Sequence, residues 1–241
     1  MTYFELEREI AWHFSYILDL AERLEVTLAS DFKNARDEYE QLSDGYDRTI
    51  IDAAYDDGYT TKKDFDRLWI EDPERAQSVQ LQMSKEIALI SPKMRMHQTG
   101  IASPHIKWAA ILVITLSHLE SSLKRICNHH VEAKDDSAWL ARTTTYLADY
   151  EKYLSEHTRF CFSSSSRWKD IRFHFEVRNQ LVHSGGFLDG LTRSDSIRKY
   201  SDVNAEELYI SSKGVVSIKP KYVKRIIEQS WDFILELPGK P

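Results

Sequence analysis

The chain has 241 residues, a formal net charge of −6 and a hydrophobic content of 42%. This length fits one large domain, or one domain with a helical extension, and the hydrophobic content supports a buried core rather than a disordered chain. The acidic balance argues against a protein that coats nucleic acid through a general excess of lysine and arginine.

Cysteine use and the N-terminus indicate the compartment. Cys127 and Cys161 form no CxxC motif or Cys/His cluster, which argues against a disulfide framework or a structural zinc site. The N-terminus carries early acids and no long apolar run, and the longest apolar run, residues 108–116, is far shorter than the ~20 residues of a spanning helix. We therefore expect a soluble, cytoplasmic protein with no metal, no cofactor and no membrane contact.

The first hundred residues are predicted to be helical, because the whole chain has only 8 glycines and 6 prolines. Apolar residues at three- and four-residue spacing predict helices over 4–24, 32–54 and 74–90. Residues 56–65 predict a turn, with Thr60 or Thr61 as the cap of a following helix. The acidic stretch from Asp31 to Asp66 is predicted to be a solvated face that could dock a basic partner.

A domain boundary is predicted in residues 91–105, which combine Ser-Pro, Gly and polar residues typical of a connection. We place a helical extension at residues 1–100 and a second helical domain at 101–241. The second domain begins with a helix at Ser103-Pro104 that is apolar nearly all round, which predicts a central, buried helix.

The rest of the chain predicts further helices and one hairpin. A helix is expected to start near Ser137, a loop to cover 159–166, and a helix over 167–183 to stop at Gly185-Gly186. The alternating residues of 208–218 predict a β-hairpin, followed by a last helix from Pro220. The predicted fold class is all-α, with a small late β-hairpin.

The helix of residues 167–183 has two apolar faces when it is drawn at 100° per residue. One face holds Trp168, Ile171, Phe175 and Val182, and the other holds Phe173, Val177 and Leu181. Such a helix must be covered from two sides, either by its own domain or by its own domain and a partner chain. A third, polar stripe is formed by Arg172, Glu176, Asn179 and His183.

Arg178 and His183 are the candidate catalytic residues. An arginine can hold a phosphate in a bidentate manner, and a histidine, which titrates near pH 6.5, can move a proton at a hydroxyl or leaving oxygen. On an ideal helix the two side chains diverge by roughly 140°, so two copies related by a two-fold axis would bring them together more readily than one. The plain alternative is a solvated helix edge with a histidine near its C-terminus.

Other polar and aromatic residues have simpler interpretations. His174 lies four residues from both Asp170 and Arg178, which predicts an ion-pair ladder. The tryptophans Trp12, Trp69, Trp108 and Trp231 are predicted to lie in the core.

Residues 178–183, RNQLVH, resemble the R-x4-6-H signature of the HEPN superfamily, in the form with a polar residue after the arginine. The surroundings are similar as well: a long apolar helix containing LSHLESSLKRI (116–126) precedes the motif, and Gly-Gly, a hairpin and a closing helix follow it. From about residue 101 to the end, the chain resembles a HEPN helical domain. Residues 1–100 resemble no family known to us.

This resemblance implies a helical bundle, usually a homodimer, in which the two R-x4-6-H helices meet. Many members are metal-independent endoribonucleases of toxin–antitoxin, abortive-infection and other antiviral systems, in which the 2′-hydroxyl attacks the adjacent phosphate. By position, Arg178 and His183 would be the catalytic pair and Asn179 the assisting polar residue. Glu120 matches the acidic residue of the earlier helix, although a salt bridge of no functional role also explains it.

The predicted partners follow from the same resemblance. RNA would be the substrate, with Arg172, Lys169 and Glu120 as candidate substrate-binding residues, and an antitoxin or another regulatory protein could control the enzyme. Members silenced by a nucleotidyltransferase antitoxin usually carry a tyrosine two positions after the histidine, where this chain has Gly185, so the resemblance does not extend to that form of regulation. The alternatives are a non-catalytic HEPN module that binds RNA, a nucleotide or a protein, and a purely structural helical protein.

Overall fold

The computed structural model of the chain describes residues 2–134, 147–188 and 194–237, which are mostly helical. The helices of the N-terminal half are α1 (Tyr3–Ser43), α2 (Arg48–Asp56), α3 (Lys62–Glu71), α4 (Pro73–His97) and α5 (Ser103–Lys134), with a π-helical turn, Gln98–Ala102, between the last two. The predicted all-α class is confirmed for the described residues at this coarse level.

The C-terminal half contains α6 (Leu147–His157), α7 (Ser166–Ser184), α8 (Ser194–Val203), β1 (Leu208–Ile210), β2 (Val216–Ile218) and α9 (Pro220–Glu236). The two strands pair antiparallel, with Tyr209 opposite Ser217, and Gly214 turns the chain at φ 75°. The hairpin is therefore confirmed. The helix start predicted near Ser137 lies outside the described residues.

Two compact units divide the chain: a terminal unit of residues 1–25 and 105–241, and a middle unit of residues 26–104. The border between residues 104 and 105 falls within residues 91–105, where we predicted a boundary, whereas residues 1–25 group with the C-terminal helices and not with a separate extension. The ring of Phe14 lies 4.6 Å from the ring of His118 and 6.1 Å from that of Trp231. Glu9 also accepts a 2.6 Å hydrogen bond from Arg125.

The core of the terminal unit is built around α5. Its Leu112, Leu116, Leu119 and Leu123 are fully buried, as predicted for a central helix. The apolar stripe of α1 is buried in the same unit at Leu6, Ile10, Phe14, Ile17 and Ala21. Among the residues that the structure describes, one helical stretch within 73–131 is long and apolar enough to cross a membrane, and a core helix of a soluble protein meets the same criterion.

The middle unit has its own small core and is acidic. Ala54, Leu68, Ala76 and Val79 form its buried cluster. Thr61 caps α3 through a capping box with Asp64, which confirms one of the two caps that we predicted. Residues 26–104 carry fifteen acidic and ten basic side chains, so most of the net charge of the chain lies here.

Two predicted interruptions are wrong. Helix α1 joins the helix predicted over 4–24 to the one predicted over 32–54 and ends within the latter, at Ser43, before α2 begins at Arg48. The predicted connection at 91–105 is helical or π-helical throughout. Gly100 suggested a turn, but a Cβ at this position would lie 2.6 Å from the Phe32 ring. Gly100 therefore allows two helical segments to approach closely and does not mark a change of chain direction.

Candidate active site

Arg178 projects from α7 toward α5, where its guanidinium has a defined set of partners. Its Nη2 donates to Glu120 Oε2 at 3.1 Å, and its Nη1 donates to Asn179 Oδ1 at 2.8 Å. The guanidinium carbon lies 5.4 Å from the centre of the Phe175 ring. With its side chain 20% exposed, Arg178 is a partly buried, oriented cation at the edge of a helix pair.

The Arg178 guanidinium is not fully used by these contacts. Its Nε is buried and has no hydrogen-bond partner among the described residues. A guanidinium carries five N–H donors in a planar fork, of which two are engaged by Glu120 and Asn179. The remaining donors give Arg178 the capacity to bind a further anion after a small side-chain movement.

His183 lies in the last turn of α7 and is exposed. Its ring has no hydrogen-bond or aromatic partner within the described part of the chain. The helix ends directly after it, because Gly185 adopts φ 58° and Gly186 N donates to Gln180 O at 3.2 Å. The predicted Gly-Gly stop is confirmed, and it leaves His183 at an open helix end.

A single chain does not bring Arg178 and His183 together. The helix is regular from Ser166 to Ser184, so the two side chains diverge by about 140° around its axis. Arg178 faces Glu120 on α5, whereas His183 faces solvent. The structure thus unites Arg178, Asn179 and Glu120, and it leaves His183 separate.

The predicted polar stripe lies on the open side of α7. Asn179 and Arg172 are exposed like His183, and Glu176 is half-buried. Arg172 Nη1 lies 3.7 Å from Glu151 Oε2 on α6, and Lys169 is exposed. The structure therefore places Arg172 and Lys169 on the surface of the helix toward its N-terminal half, away from the contacts of Arg178.

The two apolar faces of α7 are largely covered by the chain itself. Trp168, Ile171, Phe175 and Val177 are buried, while Phe173 and Leu181 are half-buried. Val182 is the apolar residue of this helix that remains open, at 52% exposure. Apolarity on two sides does not by itself require a partner chain, and only the last turn of α7 offers an uncovered apolar side chain.

His174 differs from our prediction of an ion-pair ladder, which was wrong. The side chain is buried, with Nδ1 2.9 Å from the Tyr222 hydroxyl and Nε2 3.1 Å from Gln229 Oε1. Because Gln229 Oε1 only accepts, Nε2 carries the proton and Nδ1 accepts from Tyr222. Burial, assisted by the positive charge of Arg225, lowers the pKa of His174 to about 3, so the ring is neutral near pH 7.

The chain matches no protein-family model, no curated protein and no solved structure at a significant level. Among the described residues, no group of three or more His, Cys, Asp or Glu side chains is placed to hold a metal ion. Any function must therefore be inferred from the chain's own residues, of which Arg178, Asn179, Glu120 and His183 form the candidate site.

Proposed function

We propose that the protein is a metal-independent endoribonuclease of a defence or toxin–antitoxin type system, similar to catalytic members of the HEPN superfamily. The observation that carries the proposal is the end of α7, where an oriented Arg178 is followed by an exposed His183 and a glycine stop. The site would be composite, with Arg178 of one chain and His183 of a second copy acting on one phosphate.

The divergence of the two side chains supports a homodimer. A two-fold axis near the last turns of α7 would set each Arg178 beside the His183 of the other copy, since isologous contacts pair each residue reciprocally. Val182 lies between Arg178 and His183 around the axis of α7 and is 52% exposed. It would be covered in such a contact. The partner's helix would thus complete a site that one helix leaves divided.

The chemistry uses these side chains, the RNA and water. His183 takes the proton of a ribose 2′-hydroxyl, and the 2′-oxygen forms a bond to the adjacent phosphorus. The bond from phosphorus to the 5′-oxygen breaks, that oxygen leaves with a proton from water, and the hydroxide takes back the proton that His183 holds. Arg178 holds the non-bridging oxygens and offsets the charge that grows on them, while Glu120 and Asn179 orient its guanidinium.

A cleavage assay tests this proposal. The purified chain is incubated with single-stranded RNA in EDTA, and the initial rates of wild type, Arg178→Ala and His183→Ala are compared. We expect His183→Ala to lower the rate by roughly 10²- to 10⁴-fold, because a general base is lost. His97→Ala is the matched control, since His97 is also exposed in the last turn of a helix, α4, and it should cleave normally.

Two outcomes would contradict the proposal. One is cleavage by both variants at the wild-type rate, which would assign the activity to a contaminant or to another site. The other is a wild-type chain that binds RNA without cleaving it. That result would favour a non-catalytic HEPN module, for which the engagement of Arg178 by Glu120 is the supporting observation.

A further inference from the structure

Two large aromatic side chains of α1 lie on the surface of the terminal unit. Trp12 is 63% exposed and Tyr16 is 57% exposed, against our prediction that Trp12 lies in the core. Their rings stack nearly parallel, with centroids 6.0 Å apart and an interplanar angle of 17°. An exposed, ordered aromatic stack of this kind offers flat apolar surface that no described residue covers.

The stack is held in place by contacts between α1 and α5 at the same level. Glu9 accepts from Arg125 at 2.6 Å, and the rings of His13 and His118 have centroids 5.1 Å apart. Phe14 packs against His118 at 4.6 Å. Because the backbone beneath Trp12 is fixed, ordering of the helix would not be a cost of binding.

The charges around the stack favour an anionic polymer. Arg8, one helical turn before Trp12 on the same side of α1, is exposed, and so is Lys124 on α5. Arg8 interacts electrostatically with Glu5 on the same helix, whereas Lys124 forms no ion pair within the described residues and the nearby Glu9 carboxylate is paired with Arg125. Exposed cations beside stacked aromatic rings are a combination by which proteins bind single-stranded nucleic acid.

The surface of α5 connects this stack to the candidate active site. His118 faces α1 and Glu120 faces α7, so the exposed Ser117, Ser121 and Lys124 lie on the side of α5 between them at 100° per residue. Their strip presents small or basic side chains. It spans two helix-to-helix spacings, about 16–20 Å in all.

We propose that Trp12 and Tyr16 form a base-stacking subsite for single-stranded RNA, whose backbone crosses Ser117, Ser121 and Lys124 toward Arg178. The choice of RNA as the ligand rests on the proposed function. The subsite lies in the terminal unit, as Arg178 does, and it makes no use of His183. It therefore predicts a preference for unpaired over double-stranded RNA, because paired bases do not expose their faces to a protein ring.

The test measures binding without cleavage. A fluorescent single-stranded dodecamer with 2′-O-methyl groups, which lacks the attacking hydroxyl, is titrated with the full chain, and its anisotropy is followed. We expect Trp12→Ala and Tyr16→Ala each to weaken binding by about 5- to 150-fold, the range of one lost stacking contact. Trp12→Phe, which keeps a ring, should retain most of the affinity.

Trp69→Ala is the matched control, since Trp69 is also exposed, at 44%, against our prediction of a core position, but lies in the middle unit. Unchanged affinity in both aromatic-to-alanine variants overturns the proposal, and so does a wild-type chain that does not bind the dodecamer. If Trp12→Ala instead lowers the sedimentation coefficient and leaves RNA affinity unaltered, the stack covers a second copy of the chain. Because the probe cannot be cleaved, loss of binding in Trp12→Ala stands even where His183→Ala has no effect on cleavage.

Discussion

His174 and His183 lie on the same helix, nine positions apart, and have opposite surroundings. His174 is 1% exposed, with hydrogen bonds at both ring nitrogens, whereas His183 is exposed and has no partner in the described part of the chain. A buried, fully bonded histidine is part of the scaffold, while an open one at a helix end is available to a ligand. The two histidines thus mark a closed side of α7, around His174, and an open side, at His183.

The closed side is a buried polar network that ties α7 to α8, α9 and the start of the hairpin. Arg225 donates to Glu207 from Nε and Nη2 and to Gln229 from Nη1, and Tyr200 donates to Glu207. Burial favours the neutral carboxyl, but these hydrogen bonds outweigh it and lower the pKa of Glu207. Because each polar group has a partner, the network fixes the helix on which the open side is carried.

The largest expected effect is the recovery of cleavage activity when two inactive variants, Arg178→Ala and His183→Ala, are mixed. Arg178→Ala and His183→Ala chains each lose activity, but in a mixed dimer one of the two composite sites keeps both wild-type side chains. After denaturation and joint refolding, half of the dimers are mixed, so activity should recover to about a quarter of the wild-type value. The initial rate of RNA cleavage in EDTA measures it.

Refolding each variant alone provides the control, since neither preparation should regain activity. A mixture as inactive as its components, in which mixed dimers are verified by differently tagged chains, would place Arg178 and His183 in the same site of one chain or in no common site. The open side would then need another explanation than a seam between two copies.

Removal of Glu207 tests how much the buried network on the closed side stabilises the fold. This side chain is buried, and Glu207→Ala leaves Arg225 and Tyr200 without their shared acceptor. We expect the free energy of unfolding in urea to fall by about 3 kcal/mol, as for other broken buried pairs. Glu206→Ala is the control, because the neighbouring Glu206 is exposed and pairs only at the surface with Lys221, so its midpoint should not change. Equal losses in both variants would show that the network is no more than a surface ion pair.

Much of the helical fold could be predicted because it follows from local spacing. Residues only a few helical turns apart determine three of its features: the apolar stripe of α1, the all-round apolarity of α5 and the glycine stop of α7. The interruptions at residues 24–32 and 91–105 could not be judged in the same way. Gly100 is explained by the Phe32 ring, which is distant along the chain, so the same residue that suggests a turn permits a helix contact.

The candidate site could be predicted in its residues but not in its contacts. The motif predicted Arg178 and His183 as site residues, and the resemblance added Glu120, which lies 58 positions before Arg178. His174 was misjudged because its partners Tyr222 and Gln229 lie 48 and 55 positions away, and its neighbours four positions along the helix offered a nearer explanation. Trp12 was misjudged for a related reason, since composition predicts burial for a tryptophan and cannot tell which ring is left at the surface.

The pH dependence of stability offers the last and smallest test of the closed side. The pKa of His174 is about 3 in the folded chain, against about 6.5 for an unperturbed histidine in the unfolded chain. Between these values the unfolded state binds a proton that the folded state does not, so stability should fall as pH drops below about 6.5, by up to ~1.4 kcal/mol per pH unit. Above that range His174 adds no slope.

Urea unfolding at pH 7.5, 6.5 and 5.5 checks this expectation, with His174→Gln as the variant that removes the titrating ring and keeps a polar side chain. As the pH falls from 6.5 to 5.5, the unfolding free energy of wild type should fall more than that of His174→Gln. Glu207 does not confuse this window, because its pKa is lowered from the usual glutamate range and its own loss of stability begins only in more acidic solution. Parallel profiles for the two proteins would mean that His174 binds a proton as readily in the folded chain as in the unfolded chain, and the distinction between the closed and open sides of α7 would lose its electrostatic basis.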